Sequence, residues 1–568
     1  MLRPSTSFKH SLLAIAVFAT FACSHSPGES EVIAERERAA QAQADQARAQ
    51  QEMIQVSGSR IVQEKADNFA FHSLMAPGPQ ELDYQGPDTN NENYQDIEEN
   101  PVKTVGSDPV STFSIDVDTG SYTNTRRMLT QGYLPPADAV RVEEFINYFD
   151  YQYPQPTDID QPFSVNTAVS VSPWNDQRHL MRIGLKGFTP EIADDVGRNL
   201  VFLLDVSGSM NQENKLPLLK RSLTMLTNQM SAKDSVSIVV YAGASGVVLE
   251  PTPGNEKAQI TQALDQLQAG GSTNGGAGIQ LAYKMAEQAF IKDGINRVIL
   301  ATDGDFNVGM TDQDALIELI EQERDKGIAL TTLGFGQGNY NDYLMEQLAD
   351  AGNGNYAYID TINEARKVLV DELQSTMQII AKDVKIQVEF NPNQVAEYRL
   401  IGYENRVLAK EDFNNDKVDA GDIGAGHTVT ALYELTLIES KDKFNDELRY
   451  QTNNQQDKEV SDELAFVKLR FKQPDSDTSE LIQQAVKREQ ITNFDAQSDD
   501  YKFAVAVAGF AQQMKKSKFV PDTSFQWITE TANATKGKDE FGYRSEFIQL
   551  VRNAQALSDA KQSDSTGN

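Results

Sequence analysis

Across 568 residues there is a single cysteine, Cys23, so no disulfide can form within the chain. Histidine is also sparse: His10, His25, His72, His179 and His427 are scattered without the spacing of a ligand set, which removes the zinc hydrolases. Positive charge is short, with 51 Lys and Arg against 83 Asp and Glu and a net charge of −32. That balance excludes nucleic acid and an anionic membrane surface as direct partners, and it favours solubility. There is no Gly-x-Ser-x-Gly elbow, and the glycine-rich run at 270–276 lacks the Lys-Ser/Thr that completes a phosphate-binding loop. The N-terminal apolar stretch has about ten residues, too few to cross a bilayer as a mature helix.

What is present is most concentrated at one junction. Leu200-Val201-Phe202-Leu203-Leu204 has no polar alternation and predicts a strand buried on both faces of a parallel α/β sheet. Asp205-Val206-Ser207-Gly208-Ser209 follows directly, at the sheet edge where such folds place ligands. A second buried run, Val298-Ile299-Leu300-Ala301, ends in Thr302-Asp303-Gly304-Asp305. Between them, Gly270-Gly271-Ser272-Thr273-Asn274-Gly275-Gly276 carries a hydroxyl into a helical stretch. Two carboxylates and three hydroxyls form an all-oxygen set suited to a hard divalent cation, Mg²⁺ or Mn²⁺.

These residues resemble the von Willebrand factor type A (VWA) family, whose metal-ion-dependent adhesion site reads Asp-x-Ser-x-Ser, then a distant Thr, then a distant Asp. Asp205, Ser207, Ser209, Thr273 and Asp303 meet all five positions. The resemblance implies that the serines and the threonine ligate the metal directly while the aspartates act largely through water. It also implies an open coordination position for a carboxylate from a partner. Apolar residues at 219, 223, 226 and 230, a strand at 236–241, a helix at 275–290 and strands at 329–335 and 356–359 fit the family's sheet.

Arg3 and Lys9, the apolar residues 12–21 and then Ala22-Cys23 form an export signal. The junction resembles a bacterial lipobox, which implies lipid attachment at Cys23. Ser24 in place of an aspartate implies, by that family's sorting rule, the outer membrane of a Gram-negative cell envelope. Residues 23–100 lack core-forming periodicity and read as a helical and disordered tether, with 83–100 polar and acidic.

Alternating runs at 163–171, 181–185, 386–390, 429–437 and 467–471 predict strands on both sides of the VWA segment. The expected fold is therefore α/β: a doubly wound, mainly parallel, Rossmann-like VWA sheet at 197–380. It is inserted in a β-sandwich-like domain made of 161–196 plus 384–475. A signal at 1–22, an N-terminal α/β segment at 101–160, a helical segment at 476–556 and a polar tail at 557–568 complete the layout. Asp116-Val117-Asp118-Thr119-Gly120-Ser121 imitates the metal motif but has an aspartate where serine belongs, and reads as a strand end followed by a helix cap. Asp412-Phe413-Asn414-Asn415-Asp416 opens like a calcium loop, but Lys417 and Ile423 break the pattern, leaving an Asx-rich turn. The overall layout resembles a family of bacterial VWA lipoproteins. The expected role is a membrane-anchored, divalent-cation-dependent protein-binding module, not an enzyme, whose protein ligand offers an Asp or Glu. A metal-assisted hydrolase, or a scaffold whose metal only stiffens loops, are the alternatives.

Overall fold

The structure, a computed structural model, describes residues 92–566 apart from 157–160, 190–195, 273–274, 305–312, 339, 447–460, 475 and 521–522. The signal, Cys23 and most of the tether lie outside the described residues. No helix among those described is long and apolar enough to cross a membrane.

The chain enters through β1 (Lys103–Thr104) and β2 (Val110–Ser114), then helices Gly120–Thr130 and Val142–Asn147. β3 (Phe163–Val171) and β4 (His179–Gly187) follow as an antiparallel pair. The VWA sheet comes next: β5 (Arg198–Asp205), β6 (Ser235–Tyr241), β7 (Ser245–Pro253), β8 (Ile295–Thr302), β9 (Ala329–Phe335) and β10 (Tyr356–Ile359). Their order is β10-β9-β8-β5-β6-β7, parallel throughout except for β7, which folds back on β6. β5 behaves as its composition dictates. Leu200, Phe202 and Leu204 enter the core under helices Leu216–Asn228 and Lys257–Asp265, and Val201 and Leu203 enter the opposite core under Gly275–Gln288 and Gln313–Asp325. Leu219, Leu223 and Leu226 line one face of their helix and are fully buried.

The sequence predicts one long helix from Ile362 towards Ala381 as the return path to the sandwich, and the structure divides it. It is broken into Ile362–Arg366, a π-helical turn at Lys367–Asp371 and Leu373–Met377. β11 (Ile379–Phe390), β12 (Val395–Ile401), β13 (Ile423–Gly424), β14 (Thr428–Leu437), β15 (Glu463–Lys472), β16 (Ser479–Lys487) and β17 (Ile491–Thr492) then build two further sheets. One runs β1-β12-β14-β4-β3-β17; the other runs β13-β11-β15-β16, with β2 also on β11. Their facing residues, among them Met181, Ile183, Val429 and Tyr433 against Phe113, Ile386, Val467 and Leu469, share one core. This is the expected sandwich, with wider membership. β1 and β2 join it from the N-terminal segment, and β16 and β17 join it from the segment expected to be helical.

Helices Asp499–Lys515, Phe525–Thr535 and Tyr543–Thr566 cover the outer face of the first sandwich sheet, where Leu180, Ile401 and Leu432 meet Phe145, Phe503, Phe510 and Phe547. The last helix continues through most of the expected tail. Residues within the segment expected to be a tether are fixed on the fold. Glu92 is ion-paired with Arg127 at 2.9 Å, and the Asn93 N–H donates to the Tyr340 carbonyl at 3.0 Å.

Candidate metal centre

β5 lies between β8 and β6, and Leu204 on β5 pairs with Ala301 on β8. The C-termini of β5 and β8 therefore finish side by side at the point where strand order reverses, and the ligand crevice of an open α/β sheet forms at such a point. That register alone brings Asp205 beside Thr302 and Asp303.

Asp205 is fully buried, and each of its oxygens is held. Oδ1 accepts the Ser207 N–H at 2.8 Å, and Oδ2 accepts the Thr302 hydroxyl at 3.1 Å. The Thr302 Oγ1 in turn accepts the Gly304 N–H at 3.2 Å. Burial pushes the Asp205 carboxyl up to about 6, with the neighbouring Asp303 charge adding to the rise and the Ser207 donors opposing it. Ser207 is buried and Ser209 is exposed, and their Oγ atoms lie 2.9 Å apart. The glycine-rich loop is tied to this turn by Gly208 N–H to the Gly271 carbonyl, 3.1 Å, and Gly270 N–H to the Val206 carbonyl, 2.8 Å. Thr273 itself lies outside the described residues.

Asp303 is buried and pairs with Lys215 Nζ at 2.8 Å. Gly304 follows at φ +89°, and a Cβ there would lie 2.5 Å from the Asn341 nitrogen, so only glycine lets the chain leave Asp303 along this path. Thr302 and Lys215 were both missed from sequence. Thr302 was visible as part of the Thr-Asp run, and Lys215 only as the residue before a helix.

The donor set fits a small hard cation. Cis ligands of an octahedron with metal–oxygen bonds of about 2.1 Å stand about 3.0 Å apart, a spacing that the two serine oxygens, hydrogen-bonded to each other at 2.9 Å, come close to. Among the described residues no three His, Cys, Asp or Glu side chains converge as a metal cage. An ion here would thus be held through hydroxyls as much as carboxylates, by Ser207 and Ser209 with Asp205 and Asp303 behind them.

With this geometry in place, the relatives fall in line. The von Willebrand factor type A domain family matches residues 199–372, a von Willebrand factor family matches 88–182, and the family described as "Uncharacterized protein YfbK, C-terminal" matches 375–557. YfbK of Escherichia coli (strain K12) is 46% identical over 476 residues, covering 83% of this chain and 82% of its own. The chain belongs to the YfbK family of bacterial VWA-domain proteins. Inter-alpha-trypsin inhibitor heavy chain H3 of Homo sapiens is 24% identical over 278 residues, 44% of this chain and 30% of that one. A von Willebrand factor type A structure from Catenulispora acidiphila superposes with a TM-score of 0.39 at 14% identity, over 70% of this chain and 91% of that one. The match identifies the central sheet as a VWA domain, a type of domain that mediates protein–protein interactions.

The Asp116–Ser121 segment is a correction. β2 ends at Ser114, the following helix has Thr119 at its N-terminal boundary, and the Thr119 side chain does not cap it; Glu144 Oε2 instead accepts the Ser121 N–H at 2.7 Å. Asp116 and Asp118 instead face Arg406, each at 3.3 Å from its Nη2, and Asp118 Oδ1 accepts the Tyr356 N–H at 2.8 Å. Asp416, in the segment that opens like a calcium loop, accepts Arg470 and Ser479 donors, in keeping with a turn between strands.

Proposed function

We propose that this protein is a divalent-cation-dependent binding module of the bacterial cell envelope, tethered to the outer membrane through lipid on Cys23. Its partner is a protein that presents an Asp or Glu side chain. The observation that carries the reading is the pair of serine hydroxyls 2.9 Å apart at the open end of β5, backed by two buried carboxylates. Mg²⁺ or Mn²⁺ would supply the positive charge to which a partner carboxylate is drawn. The residues of the chain do the rest. Ser207 and Ser209 offer neutral oxygens, Asp205 is oriented by the Ser207 N–H and Thr302, and the exposure of Ser209 leaves the outer side open. Neutral hydroxyls as the direct ligands leave the outer side of a dication electropositive, which favours an incoming anion even though the surface, at net charge −32, repels anions at long range. Binding, not hydrolysis, is the proposed role, because among the described residues both carboxylates of the centre are engaged, Asp205 by Ser207 and Thr302 and Asp303 by Lys215.

Affinity capture with the full chain tests this. Partner recovery in Mg²⁺ should disappear in EDTA and in Asp303→Ala; equal recovery in EDTA would move recognition to the sandwich or the helices. For the anchor, Cys23→Ser should move the protein from the membrane to the soluble fraction, and a wild type that is already soluble would refute it.

A further inference from the structure

Lys215 takes no part in the Asp-x-Ser-x-Ser pattern, yet it reaches into the same centre. Its Nζ lies 2.8 Å from Asp303 Oδ2, with the two side chains 6% and 2% exposed. The residue stands immediately before the helix Leu216–Asn228, and its stem runs across the C-terminal edge of β9. There Gly336 has φ +78°, and a Cβ on it would come within 2.2 Å of Lys215 Cε. The passage for the lysine is thus shaped by the backbone of a neighbouring strand. The ammonium is placed, and it is placed on one of the two carboxylates of the metal centre.

A buried ammonium this close changes the charge of the centre. Asp205 and Asp303 alone would neutralise a divalent ion. Among the described residues, Lys215 then leaves the loaded centre with one net positive charge. We infer that Lys215 divides affinity between the two ligands of the site: it weakens the hold on a free divalent ion and strengthens the hold on a carboxylate that arrives with it. The inference rests on the metal-centre reading above. By linkage, ion and carboxylate then tighten each other's binding, so the centre loads fully only when a partner is present. An unliganded chain holds its ion loosely because the lysine already satisfies Asp303.

Isothermal titration of the full chain with Mg²⁺ tests this, using wild type, Lys215→Met, Lys215→Gln and Lys215→Arg, each checked by thermal melting for an intact fold. Removing the charge should lower the Mg²⁺ Kd roughly tenfold, on the scale of one nearby unit charge in a partly buried site. Lys215→Arg, which keeps the charge, should stay within about threefold of wild type. When acetate replaces chloride at equal ionic strength, the wild-type Kd should tighten, and the Lys215→Met Kd should tighten less. Unchanged or weaker Mg²⁺ binding in both neutral variants would overturn the inference, and so would an equal acetate effect in wild type and Lys215→Met. The metal-centre reading fails differently: wild type and Asp205→Ala would then titrate alike.

Discussion

Two turns in this molecule begin with Asp-Val at the end of a buried strand, at Asp205, the last residue of β5, and at Asp116, two residues beyond β2. Both close the same way, with the aspartate Oδ1 accepting the N–H two residues on, from Ser207 at 2.8 Å and from Asp118 at 3.1 Å. They diverge at that second residue. At 207 a hydroxyl meets another hydroxyl on an exposed neighbour. At 118 a second carboxylate is sealed at 4% exposure against Arg406. That one guanidinium also reaches Glu346 at 3.1 Å and Asp350 at 2.6 Å, so it serves four acids drawn from the N-terminal segment and the VWA helix Asp342–Ala351. Nearby, Arg141 pairs with Glu144 and Asp342 in the same way. One turn chemistry thus yields a cradle open to an ion or a closed seam between segments. The protein's own cations decide which: a guanidinium fork spans the acids of the second turn, whereas at the first a single ammonium takes one carboxylate and leaves the Ser209 hydroxyl facing out.

The largest expected effect lies on the seam. Arg406→Ala leaves the three buried carboxylates of Asp116, Asp118 and Glu346 without their shared cation and should cost about 3–5 kcal/mol of unfolding free energy by urea titration, without loss of Mg²⁺ binding. At the open turn the balance should invert. Thr302→Val removes the donor that orients Asp205 Oδ2 and should weaken Mg²⁺ affinity by about tenfold or more, while stability falls by about 1 kcal/mol. If both variants lost stability and metal together, the two turns would be one cooperative unit and the contrast would dissolve.

A smaller, pH-dependent effect sharpens the seam. Glu143 is fully buried and accepts the Tyr403 N–H at 2.8 Å; burial, with Glu404 and Asp116 nearby, pushes its carboxyl up to about 7. Its ordinary value is near 4.5, so between those values the native state binds a proton that the unfolded chain has released. Stability therefore falls as pH rises through that window. Glu143→Gln keeps the acceptor and removes the titration. Relative to wild type it should gain about 1–2 kcal/mol at pH 8 over its standing at pH 5; parallel denaturation midpoints at the two pH values would show the seam insensitive to this charge.

The open turn was legible in the chain because its residues come in short runs at strand ends: the unalternated stretch before Asp205 and the one before Asp303 define strands, and the register does the rest. The sandwich was legible by alternation in β3, β4, β11, β14 and β15. β16 was not, since it pairs on one side only with β15 and leaves Leu481 half exposed, so its apolar residues do not alternate against a core. The antiparallel β7 was missed because its burial is partial along most of its length. Nothing local announces the seam. Arg406 and Asp116 are separated by 290 positions, and only the tertiary fold brings them together. Lys215 was invisible for the same reason, its partner lying 88 residues away.

Equilibrium dialysis of the full chain against Mn²⁺ tests the central claim most directly. Wild type and Asp116→Asn should each retain one Mn²⁺ per chain, and Asp205→Ala should retain none. Retention by Asp205→Ala equal to wild type, or its loss in Asp116→Asn alone, would contradict the assignment of the ion to the open turn.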